Sequence, residues 1–142
     1  MAQIDLHTLI EVTPALNIQT ISSDTTTAGI IIDTVDFNAA EFTLLSGAIT
    51  TGVFTPLIED GDDSGLSDAA PVDPSFLLGT IAGATFGVND DNAAKKIGYV
   101  GKKRYVRLSI VTISSPSGVA NGIISVTAVK GIPGIHDIDA NT

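Results

Sequence analysis

Lys95-Lys96-Ile97-Gly98-Tyr99-Val100-Gly101-Lys102-Lys103-Arg104-Tyr105-Val106-Arg107-Leu108-Ser109-Ile110-Val111-Thr112-Ile113 is the stretch on which the reading of this chain turns. Two runs rich in β-branched and aromatic residues flank a short polar turn opened by Gly101. In the second run Val106, Leu108 and Ile110 alternate with Tyr105, Arg107 and Ser109. A period of two sends alternate side chains to opposite faces, so this run predicts a strand with one buried face and one wet one. The whole stretch reads as a β-hairpin.

The same stretch holds six of the seven basic residues, the seventh being Lys130, and no Lys or Arg precedes it. Fourteen of the sixteen acids lie in residues 1–94, while in residues 95–142 seven bases outweigh two acids. A net charge of −9 argues against nucleic acid as a partner, because affinity for a phosphate backbone comes from a basic surface. Two readings stay open for the basic stretch. It meets an acidic surface on another molecule, with Lys95, Lys96, Lys102, Lys103, Arg104 and Arg107 as interface residues, or it folds against the chain's own acids and balances them.

At 142 residues the chain suits one domain and can bury roughly two thirds of its unfolded surface, so no covalent staple is required. It has no Cys, which excludes a disulfide framework and Cys–zinc sites. No apolar run approaches the ~18 residues of a membrane span, and the start Met-Ala-Gln-Ile-Asp-Leu-His lacks the pattern of a signal peptide. A soluble, unexported chain with no membrane partner is expected. Abundant Ile, Val and Thr, fourteen Gly and six Pro, without sustained helical periodicity, predict short antiparallel strands in a sandwich or barrel.

From the N-terminus, Ile4, Leu6, Leu9, Ile10 and Val12 form an apolar but irregular segment broken at Pro14 and by the polar run Ser22 to Thr27. Residues 1–26 read as an extended arm that gains order on binding, with Ile4, Leu6, Leu9 and Ile10 as contact residues. An ordinary first edge strand is the alternative. Residues 27–142 then form a single β domain. Within it Gly29 to Asp33, Glu41 to Gly47, Val53 to Glu59, Ala84 to Val88 and Gly122 to Val129 read as strands, Phe42 and Leu44 as a core pair, and Ile124, Val126 and Ala128 as one face. Pro56 suggests an edge or a bulge.

Asp60, Asp62, Ser64 and Gly65 match the first half of a calcium loop, but the twelfth position, where a bidentate Glu belongs, is Pro71. A solvated acidic turn is the expectation there, with no metal and no other cofactor. His7 and His136 stand near opposite termini, and no nucleophile elbow, phosphate loop or zinc helix is present. Without Cys or an evident base, nucleophilic catalysis has no players, so no enzyme is expected.

The string Ile97 to Arg107, followed by Ala120-Asn121-Gly122, a strand and Val129-Lys130-Gly131-Ile132-Pro133, resembles the head decoration, or cement, proteins encoded in tailed-phage structural gene clusters. Glu59-Asp60-Gly61-Asp62-Asp63 and Leu77-Leu78-Gly79-Thr80 are similar to that family too, so the resemblance covers about residues 41–133. It implies a β-sandwich or jelly-roll-like domain on the capsid exterior of the virion, made in the host cytoplasm. It also implies the phage major capsid protein as partner and a homo-oligomer, a trimer foremost. A tail or head-completion component is one alternative. A carbohydrate-binding β-sandwich is another, although such a module wants exposed aromatics and this chain has no Trp and two Tyr.

Overall fold

The computed structural model describes residues 5–114 and 118–133. Ten strands appear in order: β1 Ile10–Ile21, β2 Thr26–Thr27, β3 Ile32–Asp33, β4 Phe37–Thr51, β5 Val53–Gly61, β6 Ala70–Pro71, β7 Leu77–Leu78, β8 Ala94–Tyr99, β9 Tyr105–Ile113 and β10 Asn121–Pro133. Three single 3-10 turns, His7–Leu9, Pro74–Phe76 and Ala82–Ala84, interrupt them. Two antiparallel sheets result, one in the order β1-β10-β4-β8-β7 and the other β2-β9-β5-β6, with β3 also on β9. The pairing is nested: the first strand lies on the last, and β2 and β3 lie on the strand before it. Such winding of two Greek keys is a double-sheet jelly roll; the antiparallel sheets are what the composition predicts, and the jelly roll is what the resemblance implies.

The core lies between the sheets. Phe42, Leu44, Ile97, Ile124 and Val126 from one wall meet Phe54, Val106, Leu108 and Ile110 from the other, all essentially sealed from solvent. Each such side chain contributes about 1.5–3 kcal/mol through burial. The predicted alternations of β4, β9 and β10 are therefore the real inward faces. Pro56 also sits as expected. It shares the parity of Phe54, whose N–H and C=O turn away from β9 to Phe86, so the missing donor falls where β5 has no ladder neighbour, β6 pairing only Glu59 and Asp60.

Ala84 to Val88, read as a strand, makes only a single bridge, Phe86 to Phe54, and two larger expectations are corrected. The stretch 95–113 is not a hairpin: β8 pairs with β4 and β7 in one sheet, β9 with β5, β2 and β3 in the other, and residues 100–104 cross between them. Both strands face one core from opposite walls, and a buried-face pattern is the same for a hairpin as for two facing strands. The N-terminal stretch is the other. Over residues 10–21 it is an edge strand of the chain's own sheet, paired with β10, because Ala15, Leu16 and Ile21 find their burial there. Pro14 and two register shifts interrupt that strand, and the other sheet margins are two-residue strands, which blunts every edge against further pairing.

Candidate interaction surfaces

The connections β3–β4, β5–β6 and β8–β9 meet at one end of the sandwich, and the basic stretch folds into its own acids there. Arg104 closes a two-pronged bridge on Asp33, Nε to Oδ1 and Nη2 to Oδ2 both at 2.9 Å. Lys103 Nζ reaches Asp62 at 2.7 Å. Arg107 and Glu59 stand opposite each other on β9 and β5, 3.0 Å apart. Toward the other end of β8, Lys95 lies 3.4 Å from Asp90 and above the Phe86 ring. Lys130, nearly buried, reaches Glu11 at 2.8 Å, the Asp33 carbonyl at 3.0 Å and the face of Phe37. Five of the seven bases are thus paired within the chain. Lys96 and Lys102 are exposed and form no ion pair among the described residues.

Tyr99 holds this end together. Its hydroxyl donates to Asp60 Oδ2 at 2.6 Å and accepts from the Lys103 amide at 3.2 Å, beneath the crossing segment. Burial, then the Asp60 hydrogen bond, push the phenol well above its ordinary value. Gly101 is required because a side chain there would run into the Tyr99 ring and hydroxyl. Tyr99→Phe should cost about 1–2 kcal/mol, since Asp60 and the Lys103 amide both lose a partner. Urea unfolding checks this, and an unchanged midpoint would contradict it.

In the acidic loop the carboxylates turn back onto the backbone. Asp68 accepts from the amides of Asp62 and Asp63, and Asp63 from those of Gly65 and Ser67. Among the described residues no group of three or more His, Asp or Glu converges as metal ligands do. Backbone hydrogen bonds hold Asp63, Asp68, Asp73 and Asp90 below the usual carboxylate range, and Arg104 does the same to Asp33. Depressed folded values mean that the unfolded chain takes up protons first. The stability these groups provide is therefore present above about pH 4 and lost as pH falls through the folded values. A melting midpoint that drops steeply below about pH 4 is expected, and one unchanged down to about pH 3 would contradict it.

Glu41 titrates the other way. It projects from the outer surface of the β1-β10-β4-β8-β7 sheet over Gly98 and beside Leu78, where Oε2 is buried without a hydrogen bond. Burial raises its pKa and the charge of Lys96 lowers it in part. A raised folded value means stability present at low pH and lost as pH rises, so Glu41→Gln should raise the melting midpoint of the dilute single chain at neutral pH. A lowered midpoint would contradict this.

The residues singled out in the sequence are scattered. Ile10 and Lys96 point outward from this sheet, Leu6 and Leu9 are exposed at its margin, and Lys103, Arg104 and Arg107 belong to the charged end. Ile4 and His136 lie outside the described residues. At the opposite end a cleft of about 690 Å³ lies between Thr50–Val53, Gly87–Asp90, Ile113 and Ser114. Beside it Ser114 Oγ donates to Asp24 at 2.5 Å.

Fold and surfaces together define a jelly-roll β-sandwich with a self-neutralised charged end. No family model and no curated protein matches the chain. Among solved structures, one titled "Structure of infectious bursal disease virus Gx strain" is similar at 15% identity and a TM-score of 0.49, over 88% of this chain and 32% of that one. The SPBc2 prophage-derived protein YomS is similar at 13% identity and 0.46, over 89% of this chain and 98% of that one. The infectious bursal disease virus VP2 subviral particle gives 12% and 0.31, over 94% and 43%. This chain spans about a third of the length of the first of these.

Proposed function

We propose that the protein is a virion structural component, a decoration or cement protein that binds the major capsid protein on the outside of a phage head and stabilises contacts between capsomers. The observation that carries this reading is that residues 97–107, which bear the resemblance to decoration proteins, form the Tyr99-locked crossing of a jelly roll. Viral capsid domains commonly use that architecture, though lectins share it, so the fold supports the reading only by analogy. Each molecule would add a modest interface whose effect multiplies over many symmetric copies.

The trimer that the resemblance implies loses one support. Closing a ring by basic stretch against acidic neighbour needs free bases, and most of them are neutralised within the chain. Exposed Lys102, at the tip of the crossing, and Lys96, on the sheet face, are the two bases left, and Lys102 is the one at the charged end for an acidic shell. Carbohydrate binding loses support as well, since Tyr99 is buried, Tyr105 is half-buried and Phe76 is the one large exposed ring among the described residues.

Purified protein mixed with heads of its phage should pellet with them and saturate at a stoichiometry fixed by the shell lattice. Lys102→Glu should weaken this attachment, most at low salt, with unchanged melting. Protein that stays in the supernatant at every concentration would overturn the reading.

A further inference from the structure

The outer surface of the β1-β10-β4-β8-β7 sheet is unlike the acidic loops of this molecule. Register places Val12, Val129, Glu41 and Gly98 in one row across β1, β10, β4 and β8, and Pro14, Thr127, Thr43 and Lys96 in the next. Ser125, Leu45 and Ala94 form a third row, beyond which Ile18 and Ile123 stand together. The outward residues of these four strands include a single acid, Glu41, and a single base, Lys96. A protein carrying −9 in total therefore presents one broad face of zero net charge.

That face is also apolar where it could be polar. Val12 is 58% exposed, Ile18 74% and Leu45 49%, and a shallow groove of about 310 Å³ runs between Ile18, Leu45, Ala94 and Ile123. Four strands about 4.8 Å apart and some nine residues long give a patch of roughly 20 by 30 Å, so a matched pair of such patches buries ~1,200 Å², the lower end of stable interfaces. Scattered apolar residues are ordinary, but a contiguous neutral sheet face on an acidic chain calls for a cover.

Charge decides what the cover is. Contact through the acidic loops brings negative molecules together, whereas this face meets its own copy without like-charge repulsion. Its one acid and one base are complementary under a two-fold operation, in which residue i of one copy meets residue j of the other and the reverse. Neither Glu41 nor Lys96 forms an ion pair among the described residues, and Lys96 is exposed. We propose that two copies pack face to face through this sheet as an isologous pair, with Glu41 of each copy against Lys96 of the other. Blunted edges fit this arrangement, since they disfavour strand addition and leave the face as the route to association. The contact is independent of the virion reading and is tested without a capsid.

Sedimentation equilibrium at about 50 µM should show the full-length protein as a dimer, micromolar affinity being ample for that. Leu45→Asp and, on the exposed edge strand, Ile18→Asp should each give monomer with a cooperative melt retained. Lys96→Glu and Glu41→Lys should each raise the dissociation constant tenfold or more, and the double exchange Glu41→Lys/Lys96→Glu should bring it back to within a few-fold of the parent. Wild-type protein that is monomeric at about 100 µM, association indifferent to Leu45→Asp and Ile18→Asp, or a double exchange no better than the single reversals would overturn the proposal.

Discussion

A chain beginning at residue 21 is expected to have no cooperative unfolding transition. The deletion removes nearly all of β1, and with it the ladder that covers one side of β10 from Gly122 to Gly131. Leu16 and Ala15 leave the core, and the inner faces of Ile124, Val126 and Ala128 lose part of their cover. Leu16 alone represents about 2 kcal/mol of burial. Lys130 also loses Glu11, the carboxylate nearest its buried ammonium. Together with the exposed ladder of β10 these losses rival the ~5–15 kcal/mol by which a domain of this size is folded at all. Circular dichroism against temperature checks it. A truncated protein melting cooperatively within a few degrees of the full chain would show that residues 1–20 are an arm after all.

Gly29→Ala is the second large effect. Gly29 lies between β2 and β3, both paired with β9, and so close to that strand that an added Cβ would overlap the Leu108 carbonyl and stand 2.8 Å from the Ala15 oxygen. Both obstacles are backbone, so no side-chain rotation relieves them. Residues 28–31 must lift away, which breaks the 2.7 Å hydrogen bond from the Ile30 amide to the Ala15 carbonyl and the contact of the Gly29 amide with Ser109 Oγ. Overpacking at a rigid site costs about 1–3 kcal/mol and each broken buried hydrogen bond adds about 1 kcal/mol. A loss of ~3 kcal/mol lowers the melting midpoint by roughly 10 °C. Gly87→Ala, whose nearest obstacle is Asp90 Oδ2 at 3.8 Å, serves as the control and should melt close to the parent. Equal melting of the two variants would show that the 28–31 segment is loosely held.

What the sequence made legible was the face each strand buries. Val106, Leu108 and Ile110, Phe42 and Leu44, and Ile124, Val126 and Ala128 are all inward, because side-chain alternation is a local property of one strand. Partner choice was not legible. Tyr99 and Tyr105 are separated by one short turn yet belong to different sheets, and the difference is made by a distant residue, Asp60, which accepts the Tyr99 hydroxyl. The N-terminal stretch was misread for a related reason. Leu6, Leu9 and Val12 are exposed and resemble an arm in need of a surface, but the burial of Ala15, Leu16 and Ile21 depends on a strand more than 100 residues away. Charge asymmetry was visible as a fact and ambiguous as a signal. Only geometry separates bases that pair at home, such as Arg104 on Asp33, from those left for other molecules, such as Lys102. The neutral sheet face had no sequence signal of its own, since it appears only when four strands, three of them far apart in the chain, are laid side by side.

The proposed role at the head surface is tested most directly by heating DNA-filled heads stripped of the protein, before and after it is added back to saturation, and following DNA release. Stabilisation across capsomer boundaries predicts that stripped heads release DNA at a lower temperature and that the added protein restores the original release. Identical release with and without the bound protein would contradict it.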